Sequence, residues 1–343
     1  NATLPSNMDK NTIIGVSLIA VVLIGFTFLN RPTPEEATPK EPIEATSPAP
    51  AETTSSSVVS PTSTDSLAPE ASPLLGLAGG QEQIVKLENE KLVVSFSNHG
   101  GAAVQARLKE YKAQKEQPLD LFTPEDCSFN LPLRTKMGQV IDTKDLYFEP
   151  IAQSDSSLTM RLRVDSAAYL DFAYTLVPND YRLRLSISGA HLDRLFPSNM
   201  RYQDLEIAQK IRRQELSWQN ENQYSAIYYK LFADKVERLS EKGSKSEKVN
   251  ERISWIAFKD KFFSSVWIAD AANAFESSSL EQTVMPKDGE YTKDCKVVTS
   301  FPFSNAQDAS AHFTLYMGPL EHHLLKAYDQ GIDEDGDRLH LEH

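Results

Sequence analysis

The sequence predicts an all-β sandwich with a short C-terminal helix, preceded by one transmembrane helix and a disordered linker. An uncharged apolar run stands near the N-terminus, a Pro- and Ser-rich stretch follows it, and the remainder alternates polar and apolar residues with period two. The predicted segments are a leader or stub at 1–11, an anchor at 12–30, a linker at 31–82, a β-sandwich at 83–318, a helix at 319–331 and an acidic tail at 332–343.

The apolar run from Thr12 to Asn30 is long enough to cross a bilayer, since a helix of that length spans about 28 Å. A cleaved secretory signal would show a basic start and a small-residue cleavage site, and a buried core helix would show a polar face. The run has none of these. Lys10 before it and Arg31 after it leave its orientation undecided. The residues expected to contact lipid are Ile13, Ile14, Leu18, Val22, Leu23, Phe26, Phe28 and Leu29.

The linker from Arg31 to Glu82 lacks Phe, Trp and Tyr and is rich in Pro, Ser, Thr, Ala and Glu. This composition cannot bury enough apolar surface to offset the entropy of ordering, which predicts a disordered tether. The linker has two basic and eight acidic residues, a net charge of −6, and residues 329–343 add −5 to a chain total of −13. The body is therefore close to neutral, and without a basic stripe a nucleic-acid partner is not expected.

The body alternates in short runs separated by turn signals such as Pro178-Asn-Asp180. In Tyr181–Ile187, the arginines Arg182 and Arg184 are expected to face solvent while the leucines between them pack inward. The charged stretch 230–248 is expected to be a flexible excursion. The clearest predicted strands are Leu92–Phe96, Leu158–Val164, Leu170–Leu176, Tyr181–Ile187 and His312–Met317.

A C-terminal helix is predicted between Pro319 and Gln330, with Pro319 near its first turn and Gly331 at its C-terminal cap. Its apolar residues fall on a single face. That face could pack on the sandwich, or it could dock on a membrane surface or on another part of the protein. The residues of the face are Leu320, Leu324, Leu325 and Tyr328.

The segment Met8–Leu18 (MDKNTIIGVSL) closely resembles the start of bacterial YidC membrane-protein insertases, a family in which a Pro-rich tether also follows the anchor. Three body segments agree in order with the same family. Asn98–Leu108 resembles its Gly-Gly strand, Ser254–Ile268 resembles its aromatic strand pair, and Leu315–Leu320 resembles the strand end that leads into a helix.

This resemblance implies a first transmembrane helix followed by a periplasmic domain of the β-supersandwich type, in the bacterial inner membrane, with the C-terminal side exported. It implies an insertase and chaperone that works alone or with the Sec translocon on nascent membrane proteins, without cofactor or enzymatic chemistry. The chain would be its anchor and accessory domain. The family's insertase core of five further membrane helices, with its polar groove, would lie downstream.

The cysteines, two neighbouring histidines and the acidic tail each allow more than one interpretation. Cys127 and Cys295 could form a disulfide in an oxidising compartment or remain separate thiols. His322 and His323 are consecutive and point to different helix faces, so a shared metal is not expected. The acidic tail matches part of a calcium-loop pattern, but Gly331 occupies the first ligand position, which favours a solvated tail.

The rival function is a membrane-anchored sandwich that binds or modifies sugars. It would use a groove lined by aromatic side chains, although these are also common in a β core. A passive spacer is a third reading. No Gly-x-Ser-x-Gly, His-Glu-x-x-His or phosphate-loop motif occurs in the sequence. The candidate groove residues are Trp218, Tyr224, Tyr228 and Tyr229.

Overall fold

The computed structural model describes residues 73–232, 235–287, 289–329 and 341, all within one unit of the chain, Leu67–His343. The predicted stub and anchor, most of the linker, and the acidic tail other than Leu341 lie outside these ranges and stay predictions. Among the described residues, no helix has the length and apolar character needed to cross a bilayer.

The described residues form four antiparallel sheets. The largest has nine strands, and their hydrophobic alternation matches the sequence prediction of an all-β body. In spatial order its strands are β14 (Val236–Arg238), β13 (Ala226–Leu231), β16 (Ile253–Lys259), β17 (Phe263–Ala269), β20 (Ser310–Pro319), β11 (Arg182–Ala190), β10 (Tyr169–Leu176), β9 (Ser157–Arg163) and β8 (Glu149–Gln153).

Three smaller sheets complete the described body. One contains β1 (Ile84–Glu88), β2 (Leu92–Ser97), β3 (Ala103–Lys112) and β4 (Pro118–Phe122) in that order. The second contains β15 (Lys245–Val249), β18 (Glu276–Val284), β19 (Tyr291–Pro302), β12 (Tyr202–Arg212) and β5 (Cys127–Asn130). The third is the hairpin β6 (Pro132–Arg134) and β7 (Val140–Asp142).

Short helices connect the strands. The α-helices are α1 (Trp218–Asn222) and α2 (His322–Asp329). Ser217 begins α1 as its N-cap, because its hydroxyl accepts the backbone N–H of Asn220 at 3.3 Å. The 3₁₀ helices are Pro73–Ala78, Gln114–Glu116, Thr143–Asp145, Leu192–Arg194 and Ala271–Asn273.

Two smaller sheets pack on one face of the nine-stranded sheet. Phe172 and Tyr174 are two positions apart on β10 and therefore share a face. The Phe172 ring lies 5.8 Å from Phe129 of β5, and the Tyr174 ring lies 4.6 Å from Phe96 of β2. The alternation predicted for β11 is confirmed, since Leu183 and its apolar neighbours at every second position are buried while Arg184 is exposed.

The folded chain begins earlier than the predicted linker boundary at residue 82. The 3₁₀ helix Pro73–Ala78 places Leu74 in the core with no exposed surface. The Leu77 carbonyl accepts the backbone N–H of Tyr147 at 2.9 Å. The apolar sequence PLLGLA therefore joins the folded body, with Leu74 buried and Leu77 partly buried against the core.

The prediction of a flexible excursion at 230–248 is wrong for much of that stretch. It contains the end of β13, all of β14 and the start of β15. β14 and β15 are the outermost strands of their sheets, where charged side chains are expected because they discourage pairing with other chains. Lys230 on β13 is almost wholly buried, and its ammonium donates to the carbonyls of Leu231 and Phe232.

The two cysteines are separate thiols. Gln209 of β12 pairs with Cys295 on one side and with Cys127 on the other. Neighbouring strands lie about 4.8 Å apart, so the two cysteine Cα atoms are roughly 9–10 Å apart. That separation exceeds the ~7 Å limit for a disulfide without backbone movement.

β1 begins at one end of the strands, and α2 lies at the other. The Asn89 side chain, in the turn after β1, donates to the carbonyls of Val177 and Asp180 in the β10–β11 turn. Tyr328 of α2 contacts the same Asp180. We call this the helix end of the sandwich. Because β1 runs toward it, residues 73–83 reach the body from the opposite end.

Candidate functional site

A cluster of polar and aromatic side chains holds α2 on the sandwich. β20 continues to Pro319, which still pairs with Phe263 of β17, and α2 begins only at His322. The prediction that Pro319 lies in the first helical turn is therefore wrong. Pro319 completes the strand because its missing N–H costs little at a strand end, while its carbonyl remains free to accept a hydrogen bond.

The predicted apolar face of α2 packs on the sandwich. Leu325 is 3% exposed, and its backbone N–H donates to the Glu321 carbonyl at 3.0 Å. Leu320, Leu324 and Tyr328 are half-buried against the same core. The structure thus supports the first of the two uses left open by the sequence. Docking of the exposed parts of Leu320 and Leu324 on a partner stays a prediction.

Tyr316 forms the floor beneath α2. It is fully buried, and its hydroxyl donates to the Pro319 carbonyl at 2.5 Å. Its ring lies 6.3 Å from that of Tyr181 and 5.8 Å from that of Tyr328, edge-on in both cases. Gly318 makes this packing possible, because a Cβ there would lie 2.7 Å from the Tyr316 hydroxyl and 2.8 Å from the Tyr181 ring.

Asp180 and Arg182 clamp the last turn of α2. The Tyr328 hydroxyl donates to Asp180 Oδ1 at 3.0 Å. Arg182 Nη2 donates to Asp180 Oδ2 at 2.6 Å, and the guanidinium lies 4.1 Å from the Tyr328 ring centroid. The hydrogen bond to Asp180 raises the pKa of Arg182, and burial raises the pKa of Tyr328 above its usual value. Both side chains thus keep their protons at neutral pH.

Two hydrogen bonds between tyrosine and glutamate side chains connect the four-stranded sheet to its surroundings. One reaches the residue before α2, and the other reaches the residue before β11. The Tyr111 hydroxyl donates to Glu321 Oε1 at 2.7 Å, and the Tyr181 hydroxyl donates to Glu110 Oε2 at 2.8 Å. Burial, assisted by Glu321, raises the pKa of Tyr111 to about 12. We define the helix seat as the residues that hold α2: Tyr111, Asp180, Tyr181, Arg182 and Tyr316.

The helix seat is suited to fixing α2 in place rather than to acid–base catalysis. Its hydroxyls are protonated donors with carboxylate or carbonyl acceptors, and burial moves their pKa values away from neutrality. A catalytic acid or base needs a pKa near the working pH. His322 and His323, with rings 5.8 Å apart, belong to no group of three possible metal ligands within the described ranges.

The aromatic residues of the sugar hypothesis do not line one groove. Trp218, Tyr228 and Tyr229 are buried, and the polar atom of each side chain forms a hydrogen bond within the protein. The Trp218 indole N–H donates to the Tyr291 carbonyl at 2.9 Å, and the hydroxyls of Tyr228 and Tyr229 donate to Glu241 and Glu247 at 3.0 Å each. Tyr224 alone of the four is exposed, at 45%.

A cavity between the sheets is also too small for a sugar. Its volume is about 30 Å³, which is room for one or two water molecules. Phe129 and Trp267, stacked at 5.3 Å, stand beside Gln209 and Ser265 in its wall, and no charged side chain lines it.

One polar pair was not foreseen from the sequence. Glu221 of α1 and Asp260 of the β16–β17 turn are buried and joined by a side-chain hydrogen bond. Glu221 also accepts the backbone N–H groups of Gln214 and Glu215 at 2.8 and 3.1 Å. Burial, and then the Glu221 charge, raise the pKa of Asp260 well above its usual value. The pair therefore retains a shared proton to a higher pH than a solvated carboxyl would.

Sequence comparison identifies relatives over almost the whole chain. A family model described as the YidC periplasmic domain matches residues 84–337. A protein named membrane protein insertase YidC from Porphyromonas gingivalis W83 is 44% identical, covering 98% of this chain and 55% of that relative. A protein of the same name from Parabacteroides distasonis is 35% identical, covering 96% and 54%. The chain thus spans about half the length of the curated relatives it matches.

Solved structures show weaker likenesses. A galactose mutarotase related enzyme from Lactobacillus acidophilus aligns with TM-score 0.44 and 10% identity, covering 68% of this chain and 97% of that one. The periplasmic domain of Thermotoga maritima YidC aligns with TM-score 0.31 and 7% identity, covering 71% and 87%. At these scores neither likeness carries an argument about what this chain does.

Proposed function

This chain belongs to the YidC periplasmic domain family, and we propose from that premise that it is the anchor and accessory domain of a membrane protein insertase. The activity resides in the whole protein, which inserts and folds integral membrane proteins. We place the β body in the periplasm, tethered to the bacterial inner membrane by an uncleaved helix at 12–30. Nascent membrane proteins are the proposed clients, and Sec translocon subunits are the proposed partners.

The observation that carries this role is the helix seat. α2 is the last described element of the body, and it is fixed by buried tyrosines and a charged clamp rather than left on a loose connection. Such a joint fixes the orientation of α2 on the sandwich. We propose that the body thereby holds a defined orientation to the downstream half of the protein, where the insertase groove would lie.

The groove mechanism is physical rather than catalytic. Polar groups of an inserting segment are costly in hydrocarbon, and a polar, partly hydrated path lowers that cost. The nearly neutral β surface and the tether suit a domain that meets clients or translocon subunits beside this path. The boundaries proposed for the whole chain follow the sequence prediction, except that the folded body begins by residue 73.

The test uses the full-length protein that contains this chain, reconstituted in vesicles. Insertion of a single-span membrane protein is measured by protease protection, and translocon association by co-purification. Deletion of residues 83–303 is expected to lower at least one of the two. If both remain unchanged, the accessory role is wrong. A combined Tyr111→Phe and Tyr328→Phe variant is expected to lower insertion more than Tyr202→Phe, a matched change of an exposed tyrosine.

A further inference from the structure

We propose that the helix end of the body carries a lipid-contacting surface, the end patch, formed by Leu216, Tyr224, Lys261 and Phe262. Its occupant is the surface of a bilayer that contains anionic headgroups. The proposal rests on the membrane location given under the proposed function. It goes beyond that function because it assigns lipid contact to the β body itself, separately from the predicted N-terminal helix.

The apolar members of the end patch are unusually exposed. Leu216 is 70%, Tyr224 45% and Phe262 44% exposed, and each lies in a connection between elements rather than within a strand. Single exposed apolar residues are ordinary on soluble proteins. Several that adjoin one another at one end of a domain mark an interaction surface.

Lys261 joins the two aromatic members. Its ammonium lies 5.7 Å from the Tyr224 ring centroid and 4.6 Å from that of Phe262. Aromatic rings and lysines side by side are the composition of a membrane–water interface, where rings sit at the headgroup level and ammonium groups reach phosphates.

The charged side chains around the end patch are basic in slight excess. The nearby connections contribute Lys112, Lys115 and Arg213 in addition to Lys261, against Glu116, Glu215 and Glu321, which leaves a net charge of +1. The body as a whole is close to neutral, so this excess is local. It complements an anionic lipid surface and opposes contact with a basic protein.

The end patch is rigidly mounted. The Gln114 backbone N–H donates to the Gln214 carbonyl at 2.9 Å, joining two connections. The Arg213 guanidinium donates to the carbonyls of Glu215 and Leu216. The buried Glu221–Asp260 pair links α1 to the turn that carries Lys261 and Phe262. The backbone that carries the apolar side chains is therefore held in place.

The position of the end patch agrees with a membrane-facing role. The Leu320 backbone N–H, just before α2, donates to the Phe262 carbonyl at 2.7 Å, so the patch borders the start of α2. Tyr202 begins β12 and Leu216 follows its end, roughly 35 Å apart along the strand. Tyr202 is 50% exposed and supplies a matched control at the far end of the sandwich.

The experiment measures the depth of a spin label in the full chain, reconstituted in vesicles of phosphatidylcholine with phosphatidylglycerol. Nitroxides are placed by Phe262→Cys and, as control, Tyr202→Cys. Cys295 is buried and Cys127 half-buried, and burial raises the pKa of both thiols, so rapid labelling at neutral pH is directed to the introduced cysteine. We expect collision with a water-soluble nickel reagent to fall roughly fivefold or more at position 262 relative to position 202.

The second arm of the experiment removes either the positive charge of Lys261 or the negative charge of the lipid. Lys261→Glu in the Phe262→Cys background, or vesicles of phosphatidylcholine alone, is expected to restore nickel access at position 262. Equal nickel access at the two positions, while the chain still floats with vesicles, overturns the end patch and leaves the membrane location intact. Loss of flotation overturns both. Shielding that appears only after a second protein is added also counts against lipid as the occupant.

Discussion

Tyr328 and Asp180 are 148 positions apart in the sequence, yet the tyrosine hydroxyl donates to the aspartate at 3.0 Å and closes the last turn of α2 on the β10–β11 turn. The Arg182 guanidinium donates a hydrogen bond to the same carboxylate. One carboxylate thus fixes both the end of a helix and the turn of a hairpin, which makes the helix part of the sandwich.

Replacing Tyr328 with Phe removes one hydrogen bond to a charged acceptor and keeps the ring. We expect a loss of about 1 kcal/mol in unfolding free energy, together with faster amide exchange within α2. Denaturant titration and hydrogen exchange would measure the two effects. Tyr202→Phe, on an exposed ring, should change neither. Unchanged exchange in α2 would mean that the clamp does not hold the helix.

Replacing Leu325 with Ala should cost more, because the side chain is 3% exposed and leaves a cavity under α2. We expect a loss of about 2–4 kcal/mol in unfolding free energy. Leu324→Ala is the matched control, since that neighbouring leucine is only half-buried. Chemical denaturation of both variants provides the comparison, and equal losses would contradict the assignment of Leu325 to the buried side of the helix.

Replacing Gly318 with Ala places a methyl group 2.7 Å from the Tyr316 hydroxyl and 2.8 Å from the Tyr181 ring. Both rings are buried and cannot move away freely, so we expect a loss of about 1–3 kcal/mol. Gly76→Ala, where nothing lies within 4 Å of the added atom, should have little effect on the same thermal unfolding curve. A neutral Gly318→Ala would show that the seat is loosely packed.

Replacing Asp260 with Asn tests the shared proton. The folded-state pKa of Asp260 is raised, so the folded protein holds a proton that the unfolded chain releases once pH passes the usual aspartate pKa of 3.8. Wild-type stability should therefore fall as pH rises from about 4 toward the raised pKa. Asn keeps a donor facing Glu221 and does not titrate, so the variant should show a smaller fall, with Glu221 as the remaining buried acid, and equal or exceed wild type at neutral pH.

Asp165 provides a control for the same titration, because its folded-state pKa is lowered where that of Asp260 is raised. Backbone N–H groups of Ala167 and Ala168 lower its pKa to about 2, so it contributes stability above pH 3.8 that is lost as pH falls toward 2. Asp165→Asn should therefore be less stable than wild type at neutral pH and equal to it in strong acid. If Asp260→Asn behaved in this way too, the buried pair would not share a proton.

The two cysteines should react only on unfolding. Burial raises the pKa of Cys127 to about 12, and Cys295 is fully buried. A thiol reagent should label neither rapidly in the folded chain at neutral pH and should label both in denaturant, because the thiolate is the reactive form. Mass spectrometry without reductant would record two free thiols. A cross-linked pair would contradict the strand register that places Gln209 between them.

The regular strands could be predicted because their burial follows local alternation. Tyr181–Ile187 and Leu170–Leu176 have one buried and one polar face, and both form strands at nearly the predicted residues. The stretch 230–248 misled the prediction because its charges belong to edge strands, where charge is compatible with pairing. Lys230 and Lys293 are buried lysines whose ammonium groups bind carbonyl oxygens, and a hydropathy pattern cannot register such acceptors.

The site was less predictable than the fold, because its contacts join distant positions. The apolar face of α2 could be read from its spacing, and Leu325 is indeed buried. Tyr111 and Glu321, however, are 210 positions apart, and no local pattern marks them as partners. The Glu221–Asp260 pair was missed for a related reason: carboxyl groups usually face solvent, and only the folded structure shows that these two face each other.

The placement of the start of β1 and of α2 at opposite ends of the strands has a mechanical consequence. A pull between the preceding segment and α2 would act along the strands, whereas the hydrogen bonds between strands run across them. Such a force would load many of these bonds together in shear instead of opening them one at a time. We therefore expect the body to resist a pull applied between the start of β1 and α2 better than a pull applied across its strands.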